Sequence, residues 1–289
     1  MTTDGVSAED IKRAAKFSLR HYVTFSYYAL SPEIAAANEG MCYFFVCSAF
    51  VMYARGIWCL VTAGHVLDGI FEDQEEGIEL KDFRLWDGWS TDARHREPIP
   101  FDFFGSPSRR IDEGGLDYGI IYLRPLYVLN LQANGVVPVG EESYEKDWPE
   151  TFHGYAMIGA PWKTVELRRI GERSTQITQS SCVLLLAEEH NPPAQLVKSI
   201  PRFYGRILEP EDSLLWRGIG RDIRGMSGGP IIGVRRSGAE LRYWLVAVQS
   251  EWLESRRVIA ACYFQGFARL VAQRMDELRA GITGAADSA

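Results

Sequence analysis

A short glycine-rich segment surrounds a serine in the C-terminal third of the chain, Gly225-Met226-Ser227-Gly228-Gly229-Pro230. Glycines on both sides of Ser227 let the backbone turn sharply and direct N–H groups toward one point, as a nucleophile beside an oxyanion hole requires. The segment also fits the Gly-x-Ser-x-Gly pattern of the α/β-hydrolase nucleophile elbow, in which the catalytic histidine follows the serine. The last histidine here is His190. Chain order therefore excludes the elbow and places any catalytic histidine upstream of Ser227.

The histidine with the most suitable setting is His65. Two apolar runs, 44–52 and 57–61, lie on either side of a break at Gly56, and they predict a hairpin whose second strand leads to His65. The acid candidate is Asp117, which directly precedes the apolar run 118–123. A carboxylate in that place can accept the second ring N–H of a histidine and fix its tautomer.

These three segments, in this order, resemble those of the trypsin-like serine proteases, which have the chymotrypsin fold. Thr62-Ala63-Gly64-His65 is similar to the family's T-A-A-H, Asp117-Tyr118-Gly119-Ile120-Ile121 to its D-I-A-L-L, and Gly225 to Pro230 to its G-D-S-G-G-P. The resemblance covers about three quarters of the chain, roughly residues 40–265. It implies a serine endopeptidase that hydrolyses protein or peptide substrates through an acyl-enzyme and needs no cofactor or metal.

The same resemblance assigns roles to individual residues. His65 would be the general base, Asp117 the acid that orients it, and Ser227 the nucleophile, while the backbone N–H groups of Gly225 and Ser227 would form the oxyanion hole. Where animal digestive enzymes have an aspartate that pairs with a newly cleaved N-terminus, this chain has the uncharged Met226. We therefore expect the oxyanion hole to assemble without N-terminal cleavage, as in bacterial members of the family.

The substrate pocket is predicted less sharply. In the family, the segment before the catalytic serine and a strand about twenty residues after it form the pocket walls, which gives as candidates Arg221, Asp222, Ser250 and Glu251. The acidic candidates suggest a preference for basic side chains. The alternative interpretation is that these charges are solvated at the rim of the cleft.

Composition limits the classes of partner. The net charge of −7 argues against nucleic-acid binding, because phosphate recognition requires a basic surface. No apolar run approaches the roughly 20 residues of a membrane span, and acidic residues precede the first apolar stretch, unlike a secretory signal. The five cysteines show no zinc-binding spacing, and their odd number indicates thiols in a reducing compartment. We expect a cytoplasmic, soluble protein and leave its oligomeric state open.

The arrangement of apolar runs predicts an all-β fold of two six-stranded antiparallel barrels with one helix at each end. Ser7 and Asp10 form a capping-box pattern that predicts a helix from about residue 8 to residue 24. The acidic segment 72–82 is predicted to be a surface loop. The predicted units are a helical extension, a first barrel, a linker, a second barrel with its C-terminal helix, and a disordered tail, at 1–30, 31–133, 134–150, 151–281 and 282–289. Because only a short tail follows the predicted C-terminal helix, we expect no PDZ domain.

Three other functions share these sequence features. The first is a catalytically idle trypsin-like scaffold that serves as a binding module. The second is an effector whose N-terminal helix or acidic loop blocks the cleft until a partner binds. The third is an esterase or acyltransferase that uses the same chemistry on a different substrate.

Overall fold

The computed structural model describes residues 6–31, 42–87, 98–111, 115–169, 175–209 and 222–286. Its first lobe is a seven-stranded antiparallel sheet in the order β5-β4-β1-β2-β3-β7-β6. The strands are β1 Tyr22–Leu30, β2 Tyr43–Ala54, β3 Ile57–Thr62, β4 Glu79–Asp87, β5 Ile99–Pro100, β6 Ser108–Ile111 and β7 Tyr118–Tyr122. The predicted hairpin is confirmed, because β2 pairs with β3 around a turn at Gly56, which has a φ of 83°.

The second lobe is a closed barrel of six antiparallel strands in the order β11-β12-β15-β14-β13-β8. A separate two-stranded hairpin, β9 Glu166–Arg169 with β10 Thr175–Thr178, follows the first barrel strand. The barrel strands are β8 Gly154–Gly159, β11 Cys182–Glu188, β12 Arg202–Ile207, β13 Pro230–Ser237, β14 Glu240–Leu253 and β15 Val258–Tyr263. The apolar runs 155–161, 182–187, 230–234, 244–249 and 257–264 predict strands, which correspond to β8, β11, β13, β14 and β15. Strand β12 was not predicted.

Four α-helices occur in the described part of the chain: α1 Ala8–Ser18, α2 Gly64–Glu75, α3 Pro125–Ala133 and α4 Phe264–Ala286. The predicted capping box is present at the start of α1, where the Asp10 N–H donates to Ser7 Oγ over 3.1 Å and the Ser7 N–H donates to Asp10 Oδ2 over 3.0 Å. None of the four helices has the length and hydrophobicity that crossing a membrane requires.

Several predicted boundaries were wrong. The first helix ends at Ser18 rather than near residue 24, and Tyr22–Leu30 is instead strand β1, which pairs with β2 and β4. The predicted extension 1–30 therefore includes part of the first sheet. The acidic segment 72–82 contains the end of α2 and the start of β4, rather than a loop. The last helix passes the expected stop at Gly281 and runs to Ala286.

The all-β class with a helix at each end is confirmed. The lobes differ from each other, however, because the first lobe is a seven-stranded sheet where a six-stranded barrel was predicted. Strands β4 and β5 extend this sheet beyond β1, and its end strands β5 and β6 are not paired with each other among the described residues.

An apolar cluster joins the first sheet to helix α4 and to the barrel of the second lobe. Tyr118 from β7 stacks on Phe267 from α4 with ring centroids 4.3 Å apart, and Phe50 from β2 meets Phe264 edge-on at 5.3 Å. All four side chains are nearly or fully buried. Burying one such side chain contributes about 1.5–3 kcal/mol, so this cluster fixes the sheet against the barrel. Since Asp117 directly precedes Tyr118, the same packing fixes the candidate acid.

Candidate active site

His65 lies in the first turn of helix α2, just beyond the end of strand β3. Backbone N–H groups in a first helical turn have no partner within the helix and favour a negatively charged acceptor. Here the backbone N–H of His65 donates to Asp117 Oδ1 over 2.8 Å. The start of the helix and the candidate acid are therefore held together by the main chain as well as by side chains.

The His65 ring faces the same carboxylate. His65 Nδ1 lies 2.7 Å from Asp117 Oδ2, which accepts the ring N–H. This bond leaves Nε2 as the nitrogen that can take up a proton. The Asp117 side chain is 14% exposed, whereas that of His65 is 49% exposed. The acid is therefore enclosed, whereas the imidazole is partly open to solvent.

Ser250 provides a third contact to the acid. Its hydroxyl donates to Asp117 Oδ2, and the serine itself is buried. Strand β14 has a bulge between Gln249 and Glu251, where its register against β15 shifts by one residue. Ser250 was predicted to be a pocket candidate, but the bulge places it against Asp117, and no local sequence pattern indicated this contact.

The two ionisable groups shift each other's pKa. Burial lowers the pKa of His65, but the hydrogen bond to Asp117 and the charge of that carboxylate outweigh burial, so the net pKa is raised above the ordinary value. Asp68 and Glu251 add smaller contributions in the same direction. Burial raises the pKa of Asp117, but the hydrogen bonds from His65 and Ser250 and the charge of His65 lower it overall. The pair therefore favours a charged carboxylate beside a protonated imidazole.

The serine loop lies against the segment that leads to His65. Gly228 donates to the carbonyl of Gln249 over 2.9 Å, and its φ of 86° is in the left-handed region that glycine favours. A methyl group on Gly228 would lie 2.1 Å from Thr62 Oγ1 and 2.8 Å from the Ala63 nitrogen. Ser227 is half-buried next to this contact. No hydrogen bond joins its hydroxyl to His65 among the described residues.

Some of the backbone N–H groups of this loop are hydrogen-bonded within the chain and others are not. Met226 donates to the carbonyl of Ile223, Gly228 to that of Gln249 and Gly229 to that of Met226, over 2.9–3.0 Å. The N–H groups of Gly225 and Ser227 have no acceptor in the described part of the chain. These are the two groups predicted to form the oxyanion hole, and two neighbouring unpaired donors can stabilise a developing oxyanion.

Two of the residues predicted to line the substrate pocket, Asp222 and Glu251, form ion pairs within the chain. Arg221 lies outside the described residues. Asp222 is bound by Arg224 over 2.6 Å, with Lys163 4.0 Å away. Glu251 is bound over 2.6 Å by Arg202, whose side chain is fully buried, and lies 3.4 Å from Lys198. Each carboxylate is therefore already paired with an arginine of the chain, and a basic substrate side chain would have to compete with that partner.

The sequence matches no protein-family model and no curated protein. Among solved structures, the chain is similar to the thermostable serine protease AL20 from an extremophilic microorganism, with 14% identity, coverage of 86% of this chain and 93% of that one, and a TM-score of 0.44. It is also similar to the protease Anisep from Arthrobacter nicotinovorans, with 15% identity, coverage of 84% and 90%, and a TM-score of 0.42. The HtrA-type protease AlgW with a tripeptide gives 14% identity, coverage of 92% and 62%, and a TM-score of 0.45.

All three of these similar structures are proteases. At this level of identity the likeness concerns the fold alone. With TM-scores below 0.5, it contributes nothing to the roles of particular residues, which depend on the geometry of this chain.

Proposed function

We propose that the protein is a serine endopeptidase that uses His65, Asp117 and Ser227 as a catalytic triad. The observation that carries the proposal is the double hydrogen bond from His65 to Asp117, over 2.8 Å from the backbone N–H and 2.7 Å from ring Nδ1. This arrangement leaves Nε2 of the partly exposed imidazole available to accept a proton, as a general base requires. The half-buried Ser227 lies on the loop that packs against Thr62 and Ala63.

The mechanism has two acyl-transfer steps. His65 takes the proton of Ser227 while the serine oxygen attacks the substrate carbonyl, and it then donates that proton to the leaving amine. Water afterwards hydrolyses the acyl-enzyme with His65 again acting as base. The N–H groups of Gly225 and Ser227 stabilise the oxyanion in both steps. Asp117 stays ionised and stabilises the imidazolium.

A fluorophosphonate probe tests the nucleophile. With the chain intact from Met1, we expect a single phosphonyl adduct, which tandem mass spectrometry locates at Ser227. The exposed Ser180, whose hydroxyl makes no hydrogen bond to a histidine or carboxylate among the described residues, serves as an internal control and should stay unmodified. Labelling at Ser180, or labelling only after the chain is trimmed near residues 20–45, would contradict the proposal. Cleavage of casein or a peptide library then separates a peptidase from an esterase or acyltransferase.

The pH dependence follows from the raised pKa of His65. Because the base must be neutral, kcat/KM should rise with pH along a limb whose midpoint lies above 6.5, the ordinary histidine value. The charge of Glu251 contributes to this shift, so Glu251→Gln should move the midpoint to lower pH. A wild-type midpoint at or below 6.5 would contradict the assignment of His65 as the base.

One observation favours the idle scaffold as a second candidate. Among the residues that the structure describes, the hydroxyl of Ser227 makes no hydrogen bond to His65, as expected if the triad is not used. Catalytic hydrogen bonds are often long without substrate, however, and tighten only when substrate binds. The labelling experiment separates the two functions, because an idle scaffold would fold normally and remain unlabelled.

We also propose a cytoplasmic location. All five cysteines are free thiols, and Cys59, Cys182 and Cys262 are buried within strands of the two lobes. Burial raises the pKa of Cys59 to about 12 and that of Cys182 to about 11. Such thiols act as small apolar core residues, which supports a reducing compartment.

A further inference from the structure

The oxyanion donors belong to two peptide groups of the serine loop, and each group is held by its carbonyl. In a planar trans peptide the C=O and N–H bonds point in opposite directions, so binding the carbonyl fixes the direction of the following N–H. The Met226 carbonyl accepts from Gly229 over 2.9 Å, which directs the Ser227 N–H. The Arg224 carbonyl accepts from the backbone N–H of Trp162 over 2.9 Å, which directs the Gly225 N–H.

Only one of these two bonds is made within the loop. Gly229 belongs to the serine loop itself, whereas Trp162 comes from the 3-10 turn Trp162–Thr164 that follows strand β8. The direction of the Gly225 N–H therefore depends on how firmly Trp162 is held in place. The residue before Ser227 carries no charge that could anchor the loop. It is Met226, which is apolar, fully buried and packed against Gly159.

The Trp162 side chain holds the turn against both the loop and the first lobe. Its indole lies directly over Gly225, where an added methyl group would be 2.3 Å from Cδ1. Its Nε1 donates to the carbonyl of Val46 on strand β2 over 3.1 Å. Its ring meets Phe45 edge-on with centroids 6.0 Å apart. Although the residue is 45% exposed, the indole bridges the two lobes beside an oxyanion donor.

The buried Ser48 holds the following peptide, Gly225–Met226, in a similar way, through its carbonyl. The Ser48 hydroxyl donates to the Gly225 carbonyl over 2.7 Å and accepts from the Ala160 N–H and the Tyr22 hydroxyl, each over 3.0 Å. By donating one hydrogen bond and accepting two, the Ser48 hydroxyl uses its full hydrogen-bonding capacity. Gly225 is therefore held on one side by Trp162 and on the other by Ser48, and its φ of 93° suits only glycine.

We infer that Trp162 is a positioning residue for the oxyanion hole, whose indole clamps the Arg224–Gly225 peptide so that the Gly225 N–H faces the reacting carbonyl. This inference rests on the proposed function. It explains how the hole can be formed in the intact chain without a charge at Met226, and it makes catalysis depend on a contact between the two lobes.

Three variants test the clamp. Trp162→Ala removes the contact with Gly225 and the bond to Val46, and should lower kcat roughly 10- to 100-fold while KM changes less than about threefold, because an oxyanion donor acts mainly in the transition state. Trp162→Phe keeps a ring over Gly225 and should lose less than about tenfold. The matched control is Trp86→Ala, whose indole donates to Ser26 in the first sheet; its kcat should equal that of the wild type.

A second measurement does not depend on activity. Hydrogen exchange at the backbone amide of residue 162 reports its bond to Arg224, and exchange should be faster in Trp162→Ala than in wild type and Trp86→Ala at equal thermal stability. The clamp is overturned if Trp162→Ala retains both wild-type kcat and wild-type exchange at this amide. If the wild type is not labelled at Ser227, the proposed function fails instead, and the exchange measurement alone decides whether Trp162 holds the peptide.

Discussion

Asp117→Asn is expected to lower kcat about 10⁴-fold at neutral pH while leaving the protein folded. Asp117 accepts three hydrogen bonds, from the His65 backbone, from His65 Nδ1 and from Ser250. An amide cannot accept all three, because its NH₂ group would face a donor. The imidazole would then turn its unprotonated nitrogen toward residue 117 and its N–H toward Ser227, where it cannot act as a base.

Steady-state kinetics on active-site-titrated protein, with unfolding followed by circular dichroism, measures this effect. Asp68→Asn is the matched control, because Asp68 is the other aspartate whose charge raises the pKa of His65, yet it makes no hydrogen bond to the ring among the described residues. Its kcat should change less than about threefold. Equal losses in the two variants would mean that charge alone, rather than orientation of the imidazole, explains the role of Asp117.

The parts of the site that the sequence predicted are those carried by short local patterns. His65 follows a strand and small residues, Asp117 precedes an apolar strand, and glycines surround Ser227. Each pattern reflects a local requirement of backbone geometry, so each could be found without knowledge of the fold. The structure brings His65 and Asp117 into hydrogen-bond contact and packs the serine loop against Thr62 and Ala63.

The remaining contacts could not be found because they join residues that are distant in sequence. Ser250 is one serine in a long apolar strand, and only the bulge in β14 directs it to Asp117. Trp162 follows a proline in an ordinary turn, and its position over Gly225 depends on the packing of two lobes. Strand β1 was assigned partly to the first helix because it is buried on both faces and lacks the alternation that marks a half-buried strand.

The structure also suggests why substrate preference is hard to predict here. Asp222 and Glu251 were considered as pocket residues because of their positions relative to Ser227, but each carboxylate is bound by an arginine. A sequence records the presence of a charge and not its partner.

Gly228→Ala is expected to have the largest effect on stability, lowering the free energy of unfolding by about 3–5 kcal/mol. Two costs combine at this position. Its φ of 86° is unfavourable for any residue with a Cβ atom. The new methyl group would also lie 2.4 Å from the Ser48 carbonyl oxygen and 2.8 Å from the Ala63 nitrogen. These are backbone atoms of the first lobe, so relief requires the serine loop to move away from His65.

Gly77→Ala separates the two costs. Gly77 has nearly the same φ, 81°, but a methyl group there would meet nothing within 4 Å. This variant should lose only about 1–2 kcal/mol, and thermal unfolding should show the larger loss for Gly228→Ala. Because the extra loss arises where the serine loop meets the segment before His65, it should be accompanied by slower labelling of Ser227 in the protein that remains folded. Equal stability of the two variants would mean that the loop does not pack against Thr62 and Ala63, and Ser227 would then lie too far from His65 to act with it.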